Sequence, residues 1–205
     1  MTTGTDRNRM SWLVEGCLFQ VQASNDWLER RILPLSVDQL RWRPRSGRWS
    51  IAACLNHLNR TFGFYLPKIQ DALHGDRHMK NGEHQLRFAE SEEKFLRQME
   101  PPIVVPMNAP SVVLPGSAVD PDEVVDQFPY LRTRFADTIR WITDVDAGLS
   151  IPGSIHPPVE SLGGVIALLV AHERRHLWQI QQILSASNFR DYRIAKPVPG
   201  DSSGQ

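Results

Sequence analysis

The residues most able to do chemistry lie at 172–176: His172-Glu173-Arg174-Arg175-His176. Two imidazoles four apart on a helix stack on one face, with Cβ atoms about 6 Å apart. They can share one metal ion at about 2.0–2.1 Å each. With Glu173 after the first histidine, the stretch also spells the H-E-x-x-H of a zinc protease, whose glutamate is the general base. A protease of that kind needs a third ligand downstream. The chain has no Glu after Glu173, so the class that uses one is excluded. The class that continues to Gly and His finds Gln179 and Gln182 at those positions. Asp191 is the one serious later acid, and "NFRDYRIAK" around it reads as a tail. No convincing strand is available to hold a peptide. The protease reading is therefore set aside.

A third ligand can come from upstream. The histidines are 57, 74, 78, 84, 156, 172 and 176, and His57 is the other one inside a strong helical pattern. At about 100° per residue it points well away from that helix's apolar stripe. Such a side chain faces either solvent or a cleft between helices. Three neutral nitrogens would leave positions open for water or substrate, as in catalytic sites. Chance pairing of His172 and His176 is the bland alternative. Glu173 falls near the middle of an apolar stripe, where a lone carboxylate is costly. It is either half of a structural ion pair or hydrogen bond, or a base and acceptor beside a metal.

These residues need helices to position them, and four amphipathic helices are predicted. The first runs from about residue 8 to Leu33, with Leu13, Val14, Cys17, Leu18, Val21, Leu28 and Ile32 on one stripe. Pro34 ends it. Ser36 and Gln39 spell a capping box for a short turn of helix. The second starts at Ser50 and buries Ile51, Leu55, Leu58, Phe62, Leu66, Ile69 and Leu73. The third starts at Asp120-Pro121, with Pro129 inside it predicting a kink or a delayed start. The fourth runs from about Ser161 to Ala186 and carries both His172 and His176. Between the second and third lies a long connection, with a further helix expected from about Glu90 and then the Pro-rich "PPIVVPMNAPSVVLPGSA". The expectation is an all-α four-helix bundle with a long crossover loop between the second and third main helices.

Composition narrows the function classes. The chain has 205 residues, 41% hydrophobic and 22% charged, with 23 Lys+Arg against 23 Asp+Glu. That suits one domain over 1–190, with 191–205 as a partly ordered tail. Charge balance gives a nucleic-acid partner no support. The longest apolar run, "LGGVIALLVA", is too short to span a bilayer, and the start lacks an apolar leader segment. A cytoplasmic protein is expected. Cys17 and Cys54 read as buried free thiols of a reducing compartment.

"GRWSIAACLNHLNRTFGFY" (47–65) and "IHPPVESLGGVIALLVAHERRHLWQIQQIL" (155–184) together resemble the DinB-like proteins, the damage-inducible-type four-helix bundles. The first resembles the W-S…H-L opening of that family's second helix. The second resembles its His-Pro loop leading into a helix with H-E-x-x-H and a following Gln. "LPLSVDQLRWRPRSGRWS" has the same flavour, whereas 74–118 matches poorly. The resemblance implies an up-down-down-up bundle and a divalent metal, nickel or zinc, held by His57, His172 and His176. It implies a homodimer acting on a small-molecule substrate. It further implies a transferase using a low-molecular-weight thiol, with metal-dependent hydrolysis or a non-catalytic binding bundle as alternatives. His156 and the Pro-rich loop are expected to line the pocket, and Glu173 is the candidate base.

Overall fold

A computed structural model describes residues 7–75, 88–140, 142 and 148–189. Among them the chain is helical, with no strand and one isolated bridge between Ser150 and Ser161. The helices are α1 (Arg7–Arg31), α2 (Val37–Arg41), α3 (Ile51–Gly75), α4 (Glu90–Met99), α5 (Pro121–Ile139) and α6 (Leu162–Ser185), with a 3-10 turn at Ser111–Val113.

The starts follow local chemistry. Each helix begins with N–H groups that lack intrahelical partners, and a side-chain oxygen just before it can accept from one of them. Ser50 Oγ accepts from the Ala53 N–H at 3.1 Å, Ser161 Oγ from Gly164 at 3.0 Å, and Asp120 Oδ1 from Asp122 at 3.1 Å. Ser36 and Gln39 close the expected capping box around α2. Of the two readings of Pro129, the delayed start is excluded. α5 runs through Pro129 from Pro121 and is not delayed past it. The helix is pinned along its length against α3 and α1, and this packing outweighs one lost backbone hydrogen bond.

α3 packs against α5 and α6, and α1 packs against the same two helices. The core has two apolar parts. One joins Val14, Phe62, Ile69, Phe135 and Leu169; the other joins Leu28, Leu55, Leu58, Phe128 and Ile180. Along α3, α5 and α6 a polar layer falls between them: His57, Asn59, Arg132, His172, Glu173 and His176, all buried. The candidate chemistry therefore sits at the seam of the core.

Two loops close over this layer. The 3-10 turn within the Pro-rich stretch lies on α3. The segment before α6 is pinched by the Ile151 N–H to Glu160 C=O bond and the Leu162 N–H to Leu149 C=O bond, both 2.7 Å. This holds His156 inward, at 6% exposure. The tail 191–205, Asp191 with it, lies outside the described residues.

Candidate metal centre

His57 comes from the second turn of α3, and His172 and His176 come from successive turns of α6. α3 is flanked by α5, α6, α2 and the 3-10 turn. A side chain off its main stripe therefore meets a cleft and not solvent. The three Nε2 atoms converge: His57 to His172 is 3.0 Å, and His176 to His172 is 3.0 Å. The far sides of two rings are fixed. A carbonyl only accepts, so His57 Nδ1–H donates to Val113 C=O at 2.7 Å. His176 Nδ1–H donates to Gln179 Oε1 at 3.0 Å. Both tautomers therefore leave Nε2 as a bare lone pair.

The donor set fits a cation. His172 carries one ring proton. On Nδ1, where no acceptor is in reach, it leaves three lone pairs facing one another. On Nε2 it can serve only one of its two neighbours, and Nδ1 becomes an orphan acceptor. A buried lone pair is left unpaired either way, at a cost of about 1–3 kcal/mol. Ligands about 2.1 Å from one ion and at right angles stand about 3.0 Å apart. The three histidines form the one group among the described residues whose ligand atoms lie close enough to hold an ion.

Electrostatics keeps the rings neutral. Burial depresses the pKa of His57, His172 and His176, for the last two well below the ordinary value. The neighbouring rings, Arg60 and Arg175 act in the same direction. Neutral imidazole is the ligating form, so no proton need leave before a metal binds.

Trp49 covers one side. Its ring stacks on His176 (5.6 Å, 22°) and tilts over His57 (4.9 Å). His156 stands on another side, its ring 5.6 Å from His172. Its nitrogens are not part of the converging set. His156 Nδ1 and Ser154 Oγ both hydrogen-bond the Tyr65 hydroxyl, at 3.0 and 2.9 Å, and the Ile155 N–H donates to it at 3.2 Å. Burial, with His57 second, pushes the pKa of His156 down to about 4.

Glu173 turns away from this cluster. Its Oε2 accepts from Arg132 Nε at 2.9 Å and its Oε1 from the Ser24 hydroxyl. Arg132 is wholly buried, between the faces of Phe62 and Phe128, and donates also to Asn59 Oδ1 at 2.8 Å. Sequence reasoning foresaw a partner for Glu173 and did not name it. A signal existed: Phe128, Arg132, Phe135 and Ile139 share helical spacing, so a cation stood on one stripe as an anion stood on another. Trp49, Val113 and Gln179 were also missed as neighbours of the ligands. A surface cleft lined by Gln70, Leu73, His74, Arg134, Asp137 and Thr138 shares no residue with the cluster.

The family model of the DinB superfamily matches residues 20–180. The chain belongs to the DinB superfamily. The match includes all three histidines of the cluster, and metal binding is frequent in this superfamily. Comparison with curated proteins and with solved structures gives no match. No described helix is long and apolar enough to cross a membrane.

Proposed function

We propose that this DinB-superfamily protein is a four-helix bundle enzyme that holds one divalent ion on His57, His172 and His176 and transfers a low-molecular-weight thiol to a small electrophile. The observation that carries the reading is the convergence of three Nε2 atoms, with the far nitrogens of His57 and His176 tied to Val113 and Gln179. Imidazole donors suit zinc or nickel. Bound there, the ion supplies Lewis acidity, lowering the pKa of a thiol or a water at its remaining positions.

The surrounding residues favour a thiol over water as nucleophile. Hydrolysis in the protease manner asks a carboxylate to take a proton from water. Glu173 is occupied by Arg132 and Ser24, Glu100 by Arg174, and Glu92 accepts from Ser161. No carboxylate is among the charges that act on the four clustered histidines. A thiol has a pKa of about 8.5 against about 15.7 for water, so it ionises without such a base. Trp49 and Val113 keep the His57 and His176 rings in place. The role of Glu173 in this reading is to hold α6 to α5 and α1, not to move protons.

The test is a thiol-conjugation assay with common small thiols and a chromogenic electrophile, before and after chelation. The reading expects turnover that chelation abolishes and re-added zinc or nickel restores. Turnover untouched by chelation contradicts it. Chelator-sensitive ester or amide hydrolysis without thiol dependence would assign hydrolase activity instead.

A further inference from the structure

The stretch that carries Trp49 and His57 is rich in positive charge, and Arg60 and Arg175 act on the histidine cluster itself. From residue 39 to residue 70 the chain carries Arg41, Arg43, Arg45, Arg48, Arg60 and Lys68 and no acid, in a sequence whose charges balance as a whole. This stretch contains both Trp49 and His57. Arg43, Arg45 and Arg48 are exposed on the loop that ends at Trp49, and none forms an ion pair among the described residues.

Two further arginines stand closer. Arg60 lies one turn along α3 from His57, and its Nη2 donates to Val112 C=O at 2.9 Å, beside the carbonyl that holds His57. Arg175 lies between His172 and His176 on α6. Its Nη1 and Nη2 donate to the carbonyls of Gln98 (3.0 Å) and Val105 (2.9 Å). Arg175 is only 8% exposed, yet its partners are neutral. The contrast with its neighbours is clear. Arg174 is paired with Glu100, and Arg132 with Glu173. A strap between α6 and the loop explains both hydrogen bonds of Arg175, but not why a nearly buried cation has no counter-ion. Desolvated charges without partners are costly. A divalent ion on three neutral ligands would add two more positive charges.

We propose that the molecule taken at this cluster is an anion: a small thiol bearing at least one carboxylate, with its sulfur at the three histidines and its carboxylate toward Arg60 and the Arg43–Arg48 loop. The thiol half of this statement rests on the function proposed above; the anionic half rests on the charge pattern alone. Charge-assisted hydrogen bonds from guanidinium to carboxylate are the strong, geometrically selective kind. Arg175 contributes its field at His172 and His176 while it holds the loop.

Titration calorimetry with mercaptosuccinate, succinate and 2-mercaptoethanol tests both halves, with metal content measured on the same sample. Mercaptosuccinate is expected to bind at least about tenfold more tightly than neutral 2-mercaptoethanol. Arg60→Gln is expected to reduce that preference to within about threefold with metal content unchanged, while Arg140→Gln, exposed two turns beyond Arg132 at the end of α5, preserves it. Rising salt should erode it. Equal binding of the two thiols, or a preference that survives Arg60→Gln, overturns the anion proposal and leaves the thiol reading standing. Succinate binding as tightly as mercaptosuccinate, and weakened by Arg60→Gln, supports the anion site and overturns the thiol reading.

Discussion

Replacing Glu173 with leucine removes the counter-ion of a wholly buried arginine. Arg132 keeps Asn59 Oδ1, the Phe128 carbonyl and two aromatic faces. It loses the one full negative charge that offsets its burial, which already draws its pKa down to about 10. Breaking a buried pair at one end costs about 3–5 kcal/mol. In a chain of this size each kcal/mol shifts Tm by about 2–4 °C, so the loss is about 6–20 °C. Adding Arg132→Met replaces the pair with apolar side chains. Ser24 and Asn59 then lack one partner each, at about 1 kcal/mol apiece. The double variant should therefore be more stable than Glu173→Leu alone, at roughly 2 kcal/mol below wild type. Urea unfolding of all three proteins, with metal content alongside, provides the assay. The double variant is expected to hold metal as wild type does. A Glu173→Leu protein within about 1 kcal/mol of wild type refutes the structural role, as does a double variant no better than the single one.

Three further outcomes are expected. Gly164→Ala should cost about 1–2 kcal/mol, because its Cβ would overlap Glu92 Oε1 and stand 2.7 Å from Ser161 Oγ, outweighing the better helix propensity of alanine; Gly16→Ala, with open space around it, should instead gain up to about 1 kcal/mol in the same unfolding assay. The metal-free protein should lose stability in acid. His156, at about 4 in the fold and about 6.5 unfolded, binds fewer protons when folded, so its contribution is flat above pH 6.5 and is lost as pH falls toward 4. From His156 alone the loss between pH 7.5 and pH 5 is about 2 kcal/mol, and a flat or rising urea-unfolding profile over that range would contradict it. Cys17 and Cys54 are buried free thiols, with burial pushing Cys17 up to about 12 and Cys54 higher still, so neither should react with an aromatic disulfide reagent until denaturant is added.

The helices were legible because their signals are local. Ser36, Ser50, Asp120 and Ser161 each carry a start, and the stripes of α1, α3, α5 and α6 became the core. The direction of His57 on its helix made it a candidate third ligand, and the family pattern paired it with His172. Direction on one helix says which way a side chain points, not which helix stands there, and His57 and His172 are 115 positions apart. The same limit hid Arg132 from Glu173 and Val113 from His57. The start of α5 at Pro121 was legible from Asp120-Pro121; the effect of Pro129 was not, because the penalty of proline in a helix is local and the packing that carries α5 through it is not. Glu173 shows the opposite: a carboxylate on an apolar stripe demanded a partner, and the partner was a cation on another stripe.

Metal content is the most direct test of the central claim. The protein should be purified without a histidine tag, equilibrated with zinc or nickel, desalted and measured by elemental analysis beside His57→Ala and His176→Ala. The account predicts one divalent ion per chain in the wild type and little in either variant, with both variants still helical by circular dichroism. A folded wild-type protein that retains no ion after this treatment, or a His57→Ala variant that holds the ion as tightly as wild type, would contradict it.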